Sequence, residues 1–181
     1  MTAIAPLLAL LSLGLASPAQ SANPDHVQQL ITTNACAGCD LSGADLRGLS
    51  LGRANLRGAN LEGANLQDAF LMLADLREAN LANANLTAAY MNRTDLRQAN
   101  LTSATLIQAS LRSSRFRSAN LQGSDLSGAD LTYAELQNSN LQNANLKSSK
   151  LQFARLKGAN LEGANLEAAY NPKLPFRPPN Y

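Results

Sequence analysis

Tryptophan is absent from this 181-residue chain, histidine occurs once, cysteine twice, and aromatic residues make up only 4%. A core built around large rings, as in an ordinary mixed domain, is thereby excluded. Charge of one sign is also lacking: 15 Lys and Arg stand against 13 Asp and Glu, a formal net charge of +2. On bulk electrostatics this excludes both a strongly basic nucleic-acid binder and a strongly acidic nucleic-acid mimic, so partners must be recognised locally. A zinc site at the two cysteines would need two further ligands, which the single His26 cannot supply. No Gly-rich phosphate loop precedes a helix. No proline lies between residues 25 and 171, as a hydrogen-bonded ladder requires. The apolar run Ile4–Leu15 falls short of the ~20 residues needed to cross a bilayer.

That run belongs to a separate leader. Met1 to Ala22 carry no charged side chain, and the apolar stretch gives way to the small residues from Ala16 to Ala22. Residues 1–22 read as a secretory signal peptide cleaved after Ser21 or Ala22, which predicts an exported protein with no stable membrane anchor afterwards.

What the chain has in abundance is Leu and Ala at a fixed interval. From Leu41 to Leu166 every fifth position is apolar, and 24 of these 26 are Leu, with Met91 and Phe116 the exceptions. Two residues earlier a small side chain stands in 25 of 26 cases, Leu49 being the exception, and Asn or Asp precedes the Leu in 17 of 26. A period of five matches neither the helix nor the strand, so the chain must turn once per repeat. Four turns close a square coil of twenty residues, with the small residue and the Leu inside. Asn, Asp and Gly would serve the corners because they tolerate turn dihedrals. At a strand spacing of ~4.8 Å the 26 repeats make a rod about 31 Å tall. A rod with a solid leucine core offers no pocket for a Ser-His-Asp set, and no catalytic residue, metal or cofactor is expected.

Open coil ends invite association, and both ends carry covering sequence. Asn23-Pro24-Asp25 reads as cap, first helical position and acidic first turn of a helix running to Thr33, with Val27, Leu30 and Ile31 against the first coil. His26 is expected on the surface. Residues 169–181 form a proline-rich tail whose Leu174 and Phe176 would plug the last coil.

The A(N/D)LXX period from Cys39 to Ala168 resembles the pentapeptide-repeat family. The resemblance implies an all-β, right-handed quadrilateral β-helix with a short N-terminal capping helix. The order would be leader (1–22), helix and CxxC turn (23–38), 26 repeats (39–168) and tail (169–181). The head, from the apolar leader through Cys36-Ala37-Gly38-Cys39-Asp40-Leu41, is similar to exported cyanobacterial members, which implies the periplasm or the thylakoid lumen. Most members have no established activity, so the resemblance implies fold and address only.

Cys36-x-x-Cys39 in an exported protein has three readings: a structural disulfide, two free thiols with Cys39 filling an alanine position, or a redox pair. Residues twenty apart stack, which sorts the exterior into faces. One carries Asn60, Asn80, Asn100, Asn120, Asn140 and Asn160 as an amide ladder. A second carries Arg57, Arg77, Arg97, Arg117 and Lys157; these either form a charge-balanced ladder with Asp75, Glu78, Asp95 and Glu135 or leave an anion-binding stripe. A third carries Phe70, Met72, Leu73, Tyr90, Tyr133 and Phe153 outside the core, with Arg112, Lys150, Arg115 and Arg155 nearby. Such residues either cover the sheet or mark a protein-binding surface. The reading that follows is an exported, non-enzymatic scaffold or binding module with a protein partner and no nucleic acid. The alternatives are a nucleic-acid-mimicking protein that protects gyrase and a thiol–disulfide redox protein.

Overall fold

A computed structural model describes residues 22–170. It opens with one helix, α1 (Pro24–Thr33), and continues as a stack of square coils. The Asn23 side chain accepts the Asp25 N–H at 2.9 Å, Pro24 begins the helix, and Asn34 ends it at φ 56°, its N–H donating to the Leu30 carbonyl. Leu30 is fully buried on the first coil and Val27 half-buried beside it. Ile31 is not on the coil: it lies about 100° further round the helix and is 54% exposed.

His26 is also not a free surface residue. Its Nδ1 accepts the Asp40 N–H at 3.0 Å, while the Asn23 N–H donates to the Asp40 carbonyl at 3.3 Å. In later coils the equivalent N–H reaches the coil before, as Asn60 N–H reaches the Cys39 carbonyl at 2.8 Å. The first coil has no predecessor, and α1 with its capping residue Asn23 supplies both missing partners.

Parallel bridges join residue i to i+20 from Ala35↔Asn55 to Lys150↔Tyr170. Each is a single-residue bridge, and no continuous strand forms among the described residues. The reason is local, because most of each five-residue side is taken up by its turn. In the side beginning at Leu41, the Ala44 N–H donates back to the Leu41 carbonyl at 3.1 Å, and Gly43 takes φ 66°. Every fifth residue from Gly38 to Ala168 repeats that left-handed conformation.

Four of the five N–H groups in a typical side are satisfied by backbone carbonyls of the same or adjacent coils. The fifth, immediately after the Leu, is taken by the Asn or Asp immediately before it: Asn60 Oδ1 accepts from Glu62 N–H at 3.3 Å, for example. All seventeen Asn and Asp in that position do this. They therefore stand on the straight, bridging part of each side and complete its hydrogen bonding, rather than adopting the corner dihedral.

Inside, the Leu columns and the small residues form one continuous core, with Phe116 its largest side chain. Coverage thins at the far end, where Leu156, Leu161 and Leu166 are half-buried. Leu174 and Phe176, expected to cover them, lie outside the described residues, as does the leader apart from Ala22. Going round a coil, the sides are the asparagine face (Leu61, Leu81 and successors) and a fourth face (Leu66, Leu86). The aromatic face (Leu71, Met91) and the arginine face (Leu76, Leu96, Phe116) complete the square.

Candidate protein-binding surface

Two positions carry the structural chemistry of each side, the bridging Asn or Asp before the Leu and the left-handed turn residue two after it. On the aromatic face both are given up. Before the Leu stand Ser50, Phe70, Tyr90, Ser110 and Lys150, with Asp130 alone keeping the acceptor. At the left-handed position stand Arg53, Leu73, Arg93, Ser113, Tyr133 and Phe153, with φ between 56° and 63°. Each of the other three corners contains glycines in this column, and this one has no Gly, Asn or Asp. A left-handed L-residue costs about 1–2 kcal/mol; the other corners hold some, such as Ala88, Gln98 and Ser103, but this column holds nothing else and stores the most strain.

The exposed rings form two separate stacks, not one cluster. Phe70 and Tyr90 lie 4.7 Å apart and nearly parallel on the straight, bridging part of the side. Tyr133 and Phe153 lie 4.8 Å apart on the edge toward the arginine face. All four are about half exposed, as are Met72 and Leu73. The column spacing explains the division: rings at the same position of successive coils stack, and one pair occupies the bridging position while the other occupies the left-handed turn position.

On the arginine face the cations are paired. Arg57 meets Glu78 at 2.7 Å, Arg77 meets Asp75 at 2.5 Å, Arg97 meets Asp95 at 2.7 Å and Arg117 meets Glu135 at 2.9 Å. Lys157 is in no ion pair among the described residues. Hydrogen bonds from Arg77 hold the Asp75 carboxyl below the ordinary carboxylate range. Burial pushes Asp95 upward, but hydrogen bonds and charge from Arg97 outweigh it and leave it lowered. The charge-balanced ladder is therefore what forms along most of the stripe.

The small net charge hides a separation. The arginine face and its corner with the aromatic face hold Arg53, Arg57, Arg77, Arg93, Arg97, Arg115, Arg117, Arg155 and Lys157 against Asp75, Glu78, Asp95 and Glu135. The asparagine and fourth faces hold Asp40, Asp45, Glu62, Asp68, Asp125, Glu162 and Glu167 against Arg47 and Lys147. Along the positive corner runs a groove of about 740 Å³, walled by the strained column from Leu73 to Phe153 and by Asp75, Asp95, Arg115, Glu135 and Arg155. Arg93 is the residue that a reading for exposed rings passes over. The signal for it was the missing glycine at its turn position.

Three of the five rungs of the amide ladder from Asn60 to Asn160 form, and Asn160 makes no side-chain bond to Asn140. Asn80 donates to Asn60, Asn100 to Asn80 and Asn140 to Asn120, at 3.0–3.2 Å, whereas Asn120 reaches Thr102 Oγ1 at 2.9 Å instead of Asn100. The fourth face has its own rungs, Asn85 to Asn65 and Asn165 to Asn145. Cys36 and Cys39 form a disulfide, with residues 0% and 4% exposed at the junction of α1 and the first coil. No group of His, Cys, Asp and Glu able to hold a metal occurs among the described residues.

A right-angled coil of five-residue sides, stacked in register at i+20, defines a solenoid repeat protein with a solid core. The models for pentapeptide repeat region and pentapeptide repeats (8 copies) match residues 71–146 and residues 39–78 with 149–170, respectively. A pentapeptide repeat protein from the Arabidopsis thaliana thylakoid lumen is 32% identical, with 53% of this chain and 67% of that one covered and a TM-score of 0.52. HetL, a pentapeptide repeat protein involved in heterocyst differentiation regulation in Nostoc sp. strain PCC 7120, is 35% identical. The match covers 77% of this chain and 75% of that one at a TM-score of 0.42. QnrB1, a plasmid-mediated fluoroquinolone resistance protein, is 18% identical over 75% of this chain and 71% of its own, at 0.49. No curated protein matches. The chain belongs to the pentapeptide-repeat family, whose members form right-handed β-helices.

Proposed function

We propose that this protein is an exported, non-enzymatic binding module that presents its aromatic face and the adjoining arginine-rich corner to a protein partner. One observation carries the reading. The residues that complete the sides and turns are replaced most completely on this side, by exposed rings and cations, at a cost in strain and hydrogen bonding. A fold departs from its own local rules where function requires it. Export to the lumen or periplasm is supported by the uncharged apolar leader, the buried disulfide and the likeness to the lumenal Arabidopsis protein. Thiol exchange needs an accessible sulfur, which the buried Cys36 and Cys39 do not offer. A gyrase-protecting mimic needs an acidic exterior throughout, whereas acidic residues here predominate on two of four faces.

The test is to tag the chain at its C-terminus in a cyanobacterial host, fractionate the cells, and crosslink in place before affinity capture. A shortened form in the lumen or periplasm, holding one reproducible protein that Phe70→Ser with Tyr90→Ser or Tyr133→Ser with Phe153→Ser releases, is the expected result. Full-length protein in the cytosol would overturn the address. Capture that is indifferent to both ring pairs would overturn the surface.

A further inference from the structure

The corner groove between the aromatic and arginine faces has chemistry specific enough to define its occupant. Its three carboxylates are each occupied from the arginine side: Asp75 by Arg77, Asp95 by Arg97, and Glu135 by Arg117. The groove arginines are held more loosely. Arg115 stands 3.7 Å from Asp95, Arg155 stands 4.0 Å from Glu135, and Arg93 is in no ion pair among the described residues. With the carboxylates already neutralised, the guanidinium groups of Arg93, Arg115 and Arg155 are surplus positive charge. They share the groove with Leu73 at one end and the Tyr133–Phe153 stack at the other.

Arginine beside aromatic rings is the mixture that protein interfaces concentrate, because both give large contacts and directed bonds at modest entropic cost. The groove runs along the rod axis past coils spaced ~4.8 Å, so its length suits a chain in extended conformation. The left-handed turn residues hold the bases of Leu73, Arg93, Tyr133 and Phe153 at fixed intervals, which pre-orders the wall and lowers the cost of binding.

We infer that this groove binds an extended, acidic peptide segment carrying apolar or aromatic side chains, supplied by the partner protein. Carboxylates of the segment meet Arg93, Arg115 and Arg155, and its apolar side chains rest on Leu73 and the Tyr133–Phe153 stack. The inference rests on the binding-module reading and narrows it to one edge of the face.

Fluorescence anisotropy tests it on the full-length chain. The probes are a labelled peptide of repeating Asp-Phe-Asp-Leu, its counterpart with Lys for every Asp, its counterpart with Ser for every Phe and Leu, and an oligothymidylate. The acidic apolar peptide is expected to bind at least tenfold more tightly than either counterpart, and to weaken with added salt. Arg93→Gln with Arg155→Gln should weaken it tenfold or more, while Arg47→Gln with Lys147→Gln on the fourth face, an equal change in net charge, should leave it within twofold. All four side chains are exposed, so circular dichroism should report an intact fold in both variants. Equal binding of the lysine peptide, tighter binding of oligothymidylate, an equal effect of the fourth-face pair, or no binding by any probe would each overturn the assignment. If the probes fail while the in-cell partner is still captured through the aromatic rings, the groove assignment falls and the binding-module reading stands. If both fail, both fall.

Discussion

Arg93→Gly is expected to stabilise the protein, although it removes a long side chain and introduces the residue with the most freedom to lose on folding. Arg93 sits at φ 59°, is exposed, and is in no ion pair among the described residues. The left-handed conformation costs an L-residue about 1–2 kcal/mol, which glycine does not incur. Against this, glycine loses about 0.5–1 kcal/mol more backbone entropy. The net gain is about 0.5–1 kcal/mol. Arg115 supplies the control. It stands on the bridging part of its side, donates its N–H to the Thr94 carbonyl at 3.0 Å, and has its guanidinium 3.7 Å from Asp95. Arg115→Gly relieves no strain and should cost about 0.5–1 kcal/mol for the backbone, with a few tenths more from the surface ion pair. The same chemical change thus has opposite signs at two arginines of one groove, separated by about 1–2 kcal/mol. Urea titrations followed by circular dichroism measure this directly, provided both variants keep the parent slope. Both should also bind the acidic peptide more weakly, so in Arg93→Gly stability and binding move in opposite directions. If Arg93→Gly loses as much stability as Arg115→Gly, the strained-column argument is wrong.

Leu101→Ala, in the middle of the rod and fully buried, should cost about 2–5 kcal/mol, and Leu161→Ala in the half-covered last coil distinctly less, as urea midpoints would show. Reduction of Cys36–Cys39, or the double change to Ser, should cost about 2 kcal/mol by loop-closure entropy for cysteines three residues apart. It should first release α1, seen as faster amide exchange at Asp40 and Asn55. Asp75, Asp95 and Asp130 have carboxyls held below their ordinary range by arginine and threonine partners despite partial burial. Their stabilisation is present above the unfolded value near 4 and is lost as pH falls through the lower folded values. Melting temperature should therefore be flat near neutrality and drop below about pH 4, with a shallower drop in Asp95→Asn.

Much of this molecule is legible in one dimension because each side of the coil is only five residues long. Leu41 to Leu166 at intervals of five, with the small residue two places earlier, specify which atoms face inward before any distant contact is known. The cap Asn23-Pro24-Asp25 is equally local, and α1 begins and ends where those residues and Asn34 place it. Counting in twenties then assigns Phe70, Tyr90, Tyr133 and Phe153 to one face. Beyond that point counting does not reach. His26 and Ile31 exchanged their expected environments because the edge of the first coil, with its two unsatisfied Asp40 groups, exists only once the coil has closed.

By itself, then, the sequence determined the period, the core, the helix at the head and the side on which the rings lie, since all of these follow from interactions within one or two repeats. Only the stacked structure decided that the rings divide into two pairs, that Arg77, Arg97 and Arg117 neutralise the groove carboxylates, and that Arg93, Arg115 and Arg155 remain as surplus charge. The physical reason is that ring stacking and ion pairing depend on distances of a few ångströms between coils. Those distances are set by the i+20 register, which no single pentapeptide contains.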